Sequence, residues 1–240
     1  MFSILKKELR TFFSNATGYI VIGIFLLLTG LFLWGIPGEF NILDAGYANV
    51  DGLFYLAPWL FLFLCPAVSM RLFAEEKQTG TWELLITKPI GRLQIVLGKY
   101  LAGWTLVSIA LLPTLIYYFT VSYLAEPVGN IDSGAFWGSF IGLFLLASVY
   151  VAIGTFASSL SKNQIISFII ALFLSFFFYY GFDVMAGFFS TGSSIEMLET
   201  IGIHAHYKSM SRGVIDSRDL LYFIVLTILF LVGTVKRIKN

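Results

Sequence analysis

Residues 71–92 read RLFAEEKQTGTWELLITKPIGR and form a long polar interruption in an otherwise apolar chain. Thr79 and Gly80 predict the start of a short helix, because either residue type can cap the free N–H groups of a first turn. Glu83 would lie in that first turn, where a negative charge is stabilised by the helix dipole. Pro89 predicts the end of the helix, because proline cannot continue the helical hydrogen-bond pattern.

The predicted short helix has one apolar stripe. Trp82, Leu85 and Ile86 are spaced at i, i+3 and i+4, so their side chains share one face beside Glu83. A helix of two turns is not stable alone in water. We therefore expect the stripe to pack against the membrane surface or against a soluble partner.

The composition indicates a polytopic membrane protein. Of 240 residues, 58% are hydrophobic and 12% are charged, and the mean hydropathy is +0.86. A soluble domain carries about 25% charged residues, so an ordinary soluble domain is excluded and no nucleic-acid partner is expected. Cys65 is the single cysteine of the sequence, which excludes an intrachain disulfide.

The apolar runs predict an all-α fold in which residues 1–240 form one transmembrane domain with six membrane-spanning helices. A bilayer requires about 20 apolar residues per helix. The predicted spans are residues 18–36, 53–72, 93–123, 136–160, 165–182 and 219–236. Pro58 and Pro66 predict a kink in the second span, and Pro113 predicts a bend in the third.

Residues 1–16 are predicted to form an amphipathic helix in the membrane interface. Such a helix buries an apolar face in lipid and keeps its cations near anionic headgroups. The apolar face comprises Phe2, Leu5, Leu9, Phe12 and Phe13, and the opposite face carries Lys6, Lys7 and Arg10. The alternative is the charged head of a cleaved signal peptide, which is disfavoured because the next apolar run is long and lacks a small-residue cleavage pattern.

The distribution of charge predicts the topology. If both termini are cytoplasmic, the inner side carries twelve Lys or Arg and four acids, and the outer side carries three and ten. The two sides then have net charges of +8 and −7, which satisfies the positive-inside rule. We therefore expect a multi-pass membrane protein with a cytoplasmic segment over residues 73–91. Lys99, at the inner end of span three, is expected to snorkel to the interface.

The longest predicted external segment is residues 183–218. Ser193 and Glu196 have capping-box spacing, which predicts a short helix that Gly202 ends. His204 and His206 would point to different faces of a helix, and no cysteine or clustered carboxylate completes a set of metal ligands. We therefore predict no metal site here.

Gly138 and Gly142 have the small-residue spacing that lets two helices approach closely. This spacing is compatible with packing within one subunit and with dimerisation, and the sequence does not decide between the two.

The residue order around the short helix resembles the coupling segment of ABC-2 type permeases. The matching residues are Glu76-Lys77, Gly80-Thr81, Glu83, Leu85 and Pro89, between the second and third spans. The amphipathic N-terminus also resembles the elbow helix with which these permeases begin. The alternative is a solvated loop whose charges only follow membrane topology.

This resemblance implies a permease of a bacterial inner membrane whose segment docks on a separate ABC ATPase. It also implies that a second permease subunit, identical or homologous, completes the transporter. The implied ATPase-coupling residues are Glu75, Glu76, Gly80, Thr81, Trp82, Glu83, Leu85 and Pro89. Trp82 would insert into a groove of the ATPase, although it could instead anchor the segment at the membrane interface. No Gly-x-x-x-x-Gly-Lys-Ser/Thr loop occurs in the sequence, so we expect no enzymatic activity and no cofactor in this chain.

A second resemblance concerns the segment before the last span. It is similar to the corresponding segment of gliding-motility-associated permeases of Bacteroidota, which implies export or the transmission of force to an external partner. The matching residues are His206-Tyr207, Ser209, Arg212 to Asp216, Arg218 to Leu220 and Tyr222. Arg212, Asp216, Arg218 and Asp219 are the predicted external interface, in which the arginines pair with the acids or with lipid phosphate.

Two other functions remain open at this point. One is a scaffold of a motility or secretion machine that moves no solute. The other is an ion-coupled carrier, which is disfavoured because the predicted spans contain almost no ionisable groups near their middle. The transported substance is not indicated by the sequence.

Overall fold

The computed structural model describes residues 1–189 and 192–239, and in these ranges the regular structure is helical. The helices are α1 Phe2–Ser14, α2 Ala16–Gly30, α3 Asp51–Ser69, α4 Arg71–Gln78, α5 Thr81–Ile86, α6 Arg92–Leu111, α7 Leu115–Leu124, α8 Ser133–Leu160, α9 Gln164–Phe176, α10 Phe182–Ala186, α11 Gly192–Glu199, α12 Ile203–Met210 and α13 Ser217–Lys239. Within the described ranges no strand occurs, which confirms the predicted all-α class.

Six helical stretches of the described chain are long and apolar enough to cross a membrane, which confirms the predicted number. They are Ala16–Gly35, Asp51–Gln78, Arg92–Leu124, Ser133–Leu160, Gln164–Ala186 and Ser217–Ile238. The second stretch runs past the predicted end at residue 72, because α4 continues the direction of α3. The polar residues of α4 hide this continuation from a hydropathy pattern.

α8 forms the centre of the bundle and packs against α3, α6, α9 and α13. Small residues let the backbones approach closely. A Cβ atom at Gly154 would lie 1.8 Å from the Ser69 hydroxyl, and one at Gly103 would lie 2.9 Å from the Val151 side chain. Close packing of this kind associates helices in lipid, where no hydrophobic force acts between them.

The prolines act differently in the second and third spans. α3 continues through Pro58 and Pro66 without interruption, and the helical pattern breaks at Met70. Pro113 lies in a single 3₁₀ turn between α6 and α7, at the position where a bend is predicted. The two interior prolines of α3 are tolerated because neighbouring helices cover the backbone groups that they release.

The bundle has two distinct ends. We call the end that contains α1, α4 and α5 the coupling end, and there the Lys7 ammonium pairs with Glu76 and the Lys77 ammonium donates to the Ser159 carbonyl. We call the end that contains α11 and α12 the opposite end. There the Tyr207 hydroxyl donates to the Phe54 carbonyl at 2.8 Å, which ties α12 to the start of the second span.

The two glycines of the small-residue motif pack within the subunit, at the opposite end. A Cβ atom at Gly138 would lie 2.7 Å from the backbone of Gly213, and one at Gly142 would lie 3.1 Å from Met210. The short helix predicted after residue 192 is present as α11, and Gly202 begins the next helix. The side chain of Ser193, and with it the capping-box prediction, lies outside the described residues.

Candidate functional site

The predicted coupling segment turns sharply at Gly80, between α4 and α5. The Thr79 N–H donates to the Glu75 carbonyl at 2.9 Å and closes the last turn of α4. Gly80 follows with a φ of +72° and is the N-terminal cap residue of α5. This left-handed conformation costs a residue with a Cβ atom about 1–2 kcal/mol, which explains glycine at the turn. The Thr79 hydroxyl bonds back to Glu75 and does not cap α5.

Trp82 packs against the protein's own α4. Its ring centroid lies 5.6 Å from that of Phe73, with the rings nearly perpendicular. Trp82 and Leu85 are partly buried against the core, whereas Ile86 is 43% exposed. The predicted stripe therefore lies in part on its own chain, which differs from the expectation that only membrane or a partner could cover it. The reason is that α4 extends the second span far enough to supply Phe73.

The outer face of the segment is exposed. Leu84 is 67% exposed, which makes it the most exposed apolar side chain of α5. The sequence pattern does not single out Leu84, because it lies off the i, i+3, i+4 stripe. The other exposed residues of the predicted coupling set are Gly80, Thr81, Glu83 and Pro89. Together with the exposed Leu84 and Ile86, these residues are what we call the docking face.

The two acidic residues before the turn are paired within the chain. Arg71 donates to Glu75 at 2.9 Å, and the Glu75 side chain is 38% exposed. Glu76 is only 8% exposed, and its two carboxylate oxygens lie 2.5 Å from the Lys7 ammonium and 3.0 Å from the Lys99 ammonium. The Glu76 carboxylate is therefore buried and paired with two lysines of its own chain.

The prediction that Lys99 snorkels to the membrane interface is wrong. Its side chain is 0% exposed, and its ammonium lies 2.8 Å from Glu8 on α1 and 3.0 Å from Glu76 on α4. The ammonium also donates to the Leu72 carbonyl and lies 5.2 Å from the centre of the Phe73 ring. Internal acceptors thus replace the water that a snorkelling lysine would reach.

α4 is held on α8 by Ser158, which the sequence pattern did not indicate. The Ser158 hydroxyl oxygen accepts from the Phe73 and Ala74 N–H groups at 2.9 and 3.1 Å, and it donates to the Met70 carbonyl at 2.7 Å. These are backbone groups beside the helix break at Met70. A buried serine thus completes the hydrogen bonds of the break and fixes the start of α4.

The opposite end holds two histidine–aspartate pairs on different faces of α12. His204 pairs with Asp183 at the end of the fifth span. His206 lies 2.7 Å from Asp219 and, through its other ring nitrogen, 2.9 Å from the Thr200 carbonyl. Both partners of His206 are hydrogen-bond acceptors.

The predicted external interface is only partly assembled. Asp219 pairs with His206. Asp216 accepts from the backbone N–H of Arg218 at 2.9 Å. Within residues 1–189 and 192–239, no ion pair to Arg212 or Arg218 is formed. Arg212 instead lines a cavity of about 460 Å³ together with His204 and Lys208.

Comparison with known families decides the identity. The sequence model of a family described as "ABC-2 family transporter protein" matches residues 2–235, from the amphipathic helix to the end of the last span. The chain belongs to the ABC-2 transporter family. This ABC-2 permease is therefore a multi-pass membrane protein, and the family implies an ABC ATPase partner and a permease dimer.

A named relative agrees with this assignment. The ABC-2 permease is similar to the probable ABC transporter permease protein NosY of Pseudomonas aeruginosa strain PAO1, with 29% identity over 194 residues. The matched region covers 77% of this chain and 68% of the relative. The similarity supports a transmembrane permease subunit and does not extend to gliding motility.

Proposed function

We propose that this ABC-2 permease docks on a separate ABC ATPase through residues 75–90 and transmits ATP-driven movement to its spans. The proposed location is a bacterial inner membrane, with both termini and the coupling end in the cytoplasm. Its proposed output is export, or force on an external partner as in gliding motility. The observation that carries the proposal is a short exposed face that packs on α4, which in turn is hydrogen-bonded to the central helix α8.

The docking face has the chemistry of a protein contact. Leu84 and Ile86 offer apolar area, and Glu83 offers a charge for a cation of the partner. Apolar anchors with a polar rim are typical of protein interfaces. The proposed contact set therefore gains Leu84 and Ile86 and loses Glu76, while Trp82 and Leu85 support the face from beneath.

The attachment of this face explains how a push could reach the membrane. Trp82 packs on Phe73, and Ser158 binds the backbone of Phe73 and Ala74. A displacement of α5 would therefore act on α4 and on the central helix α8. Rigid packed elements of this kind carry movement between distant sites because they are not continuously deformable.

We place the second permease subunit against spans one, two and five. The first and fifth spans are mostly exposed, although they are apolar. Between them lies an apolar groove of about 330 Å³ whose lining includes Phe25, Leu64 and Phe168. A second copy would cover this groove, and a movement of α4 would change how the groove packs across the dimer.

Co-purification tests the docking face. Membranes that contain the permease and its ATPase would be solubilised, and the ATPase retained by tagged permease would be measured. Glu83→Lys reverses the charge of the face, and Gly80→Pro cannot adopt a φ of +72°, so both should release the ATPase. Glu196→Lys is the matched control, because Glu196 is an exposed helical glutamate at the opposite end.

Retention of the ATPase by both docking-face variants at the wild-type level would contradict the proposed site. Release by Glu196→Lys to the same extent would place the ATPase at the wrong end of the molecule for this proposal.

A further inference from the structure

The coupling end contains a cluster of four charges that joins three elements. Lys7 and Glu8 come from α1, Glu76 from α4 and Lys99 from α6. The closest contacts are 2.5 Å between Lys7 and Glu76 and 2.8 Å between Lys99 and Glu8. The four residues, which we call the ion lock, sum to zero formal charge.

The buried charge of Lys99 requires its carboxylate partners to stay in place. Its side chain is 0% exposed, so no water replaces a partner that moves away. An isolated buried ammonium is strongly unfavourable, and its removal from both carboxylates would cost far more than the loss of a surface ion pair. Separating α1 or α4 from α6 would leave this charge without a counter-ion.

The packing around the ion lock keeps its geometry fixed. A Cβ atom at Gly98, beside Lys99, would lie 3.0 Å from the Ile4 side chain, so α1 and α6 touch at backbone distance. On the other side, the Phe73 ring contacts both the Lys99 ammonium and the Trp82 ring. The ion lock therefore lies one side chain away from the coupling helix α5.

We infer that Glu8, Glu76 and Lys99 are positioning residues that make α1, α4 and the start of α6 move as one body when the ATPase displaces α5. This inference rests on the proposed function and adds its route of transmission. The ion lock carries movement sideways, from the coupling segment to the amphipathic helix and to the third span. The contacts of Ser158 carry it separately to α8.

Spin labels can measure whether α1 and α4 move together. Ser3 and Gln78 are exposed on these two helices, so cysteines at both positions would accept labels, while the native Cys65 is fully buried. The distance between the labels would be measured in the permease–ATPase complex without nucleotide and with ATP bound to a hydrolysis-deficient ATPase. We expect one narrow distribution that does not shift with ATP. A shift in the wild-type permease would overturn the inference.

The matched variants isolate the buried charge. Lys99→Met should broaden or shift the label distance while leaving co-purification of the ATPase intact, and it should abolish the change in ATP hydrolysis that the permease causes. Lys6→Met is the control, because Lys6 is an exposed lysine on the same α1. Identical distance distributions for the two variants would overturn the inference.

A double variant covers the case in which Lys99→Met does not fold. Lys99→Met combined with Glu76→Gln keeps the remaining charges balanced, because Lys7 still lies 3.4 Å from Glu8 on the same helix, and it leaves no ion pair between α1 and α4. It should broaden the label distance in the same way, and an unchanged distance would count against the ion lock. Since these distances can be recorded in the permease alone, failure of the ion lock is distinguishable from failure of ATPase docking.

Discussion

At the scale of single residues, the coupling end depends on where two lysines of the ion lock find their acceptors. Lys99 is fully buried and takes its partners from α1, from α4 and from the backbone of Leu72. Lys7 is half exposed and bridges the same two carboxylates from the outside. Lys99 is thus buried within the cluster, while Lys7 lies at its solvent-exposed edge.

The raised pKa of Lys7 predicts that the stability of the protein depends on pH. Burial lowers the pKa of Lys7, but its hydrogen bond to Glu76 and the charge of Glu8 outweigh this effect, so the pKa stands above its ordinary value of 10.5. A raised folded-state pKa gives stability that is complete below the unfolded pKa and is lost as pH rises through the folded value. We expect Lys7→Met to lower the Tm of solubilised permease at neutral pH, by a difference that shrinks in strongly alkaline buffer.

The control for this prediction is Lys6→Met, which removes an exposed neighbour of Lys7. Its Tm should follow that of the wild type at every pH. A Tm difference for Lys7→Met that stays constant from neutral to strongly alkaline pH would show that the variant acts through packing and not through charge.

At the scale of elements, α4 is the helix that joins the membrane to the docking face. It begins at the break at Met70, where the N–H groups of the first turn need partners from outside the helix. The Ser158 hydroxyl on α8 accepts from two of these N–H groups. Lys7 and Lys99 pair with the Glu76 side chain. α4 is therefore held by another helix on each of two sides.

Removal of the Ser158 hydroxyl should loosen α4. Ser158→Ala leaves two buried N–H groups without an acceptor, and each such group costs about 1–3 kcal/mol. Ser159→Ala is the matched control, because the adjacent and equally buried Ser159 hydroxyl bonds only to the Phe156 carbonyl of its own helix. We expect Ser158→Ala to lower the free energy of unfolding and Ser159→Ala to change it little. Equal effects would contradict the role assigned to Ser158.

At the scale of the whole molecule, the parts that hydropathy controls could be predicted. The six spans follow from long apolar runs, and the turn at Gly80 follows from local chemistry that glycine alone satisfies at low cost. The 3₁₀ turn at Pro113 could also be predicted locally, because proline has no backbone N–H to continue an α-helix.

The pairings within the candidate site could not be predicted, because they join distant parts of the chain. Lys99 and Glu8 lie 91 positions apart, and Phe73 and Ser158 lie 85 apart. A lysine near the end of an apolar run has the same local pattern whether it snorkels or finds an internal carboxylate. The position of α1 decides between these outcomes, and α1 is placed by its packing on α6.

The architecture as a whole separates a fixed centre from an exposed periphery. α8 is enclosed by its neighbours, whereas the first and fifth spans expose most of their apolar surface. Lipid can cover such a surface, and a second permease subunit can cover it equally well. The central helix and the docking face are joined through α4, so the moving part of the proposed transporter is attached to the most buried span of the described bundle.

Site-specific photo-crosslinking tests the docking of the ATPase most directly. A photoreactive residue would replace Leu84 on the docking face or, as the control, the similarly exposed Met197 on α11 at the opposite end. We expect a covalent permease–ATPase adduct from position 84 and none from position 197. An adduct from position 197, or no adduct from position 84 while the ATPase still co-purifies, would contradict it.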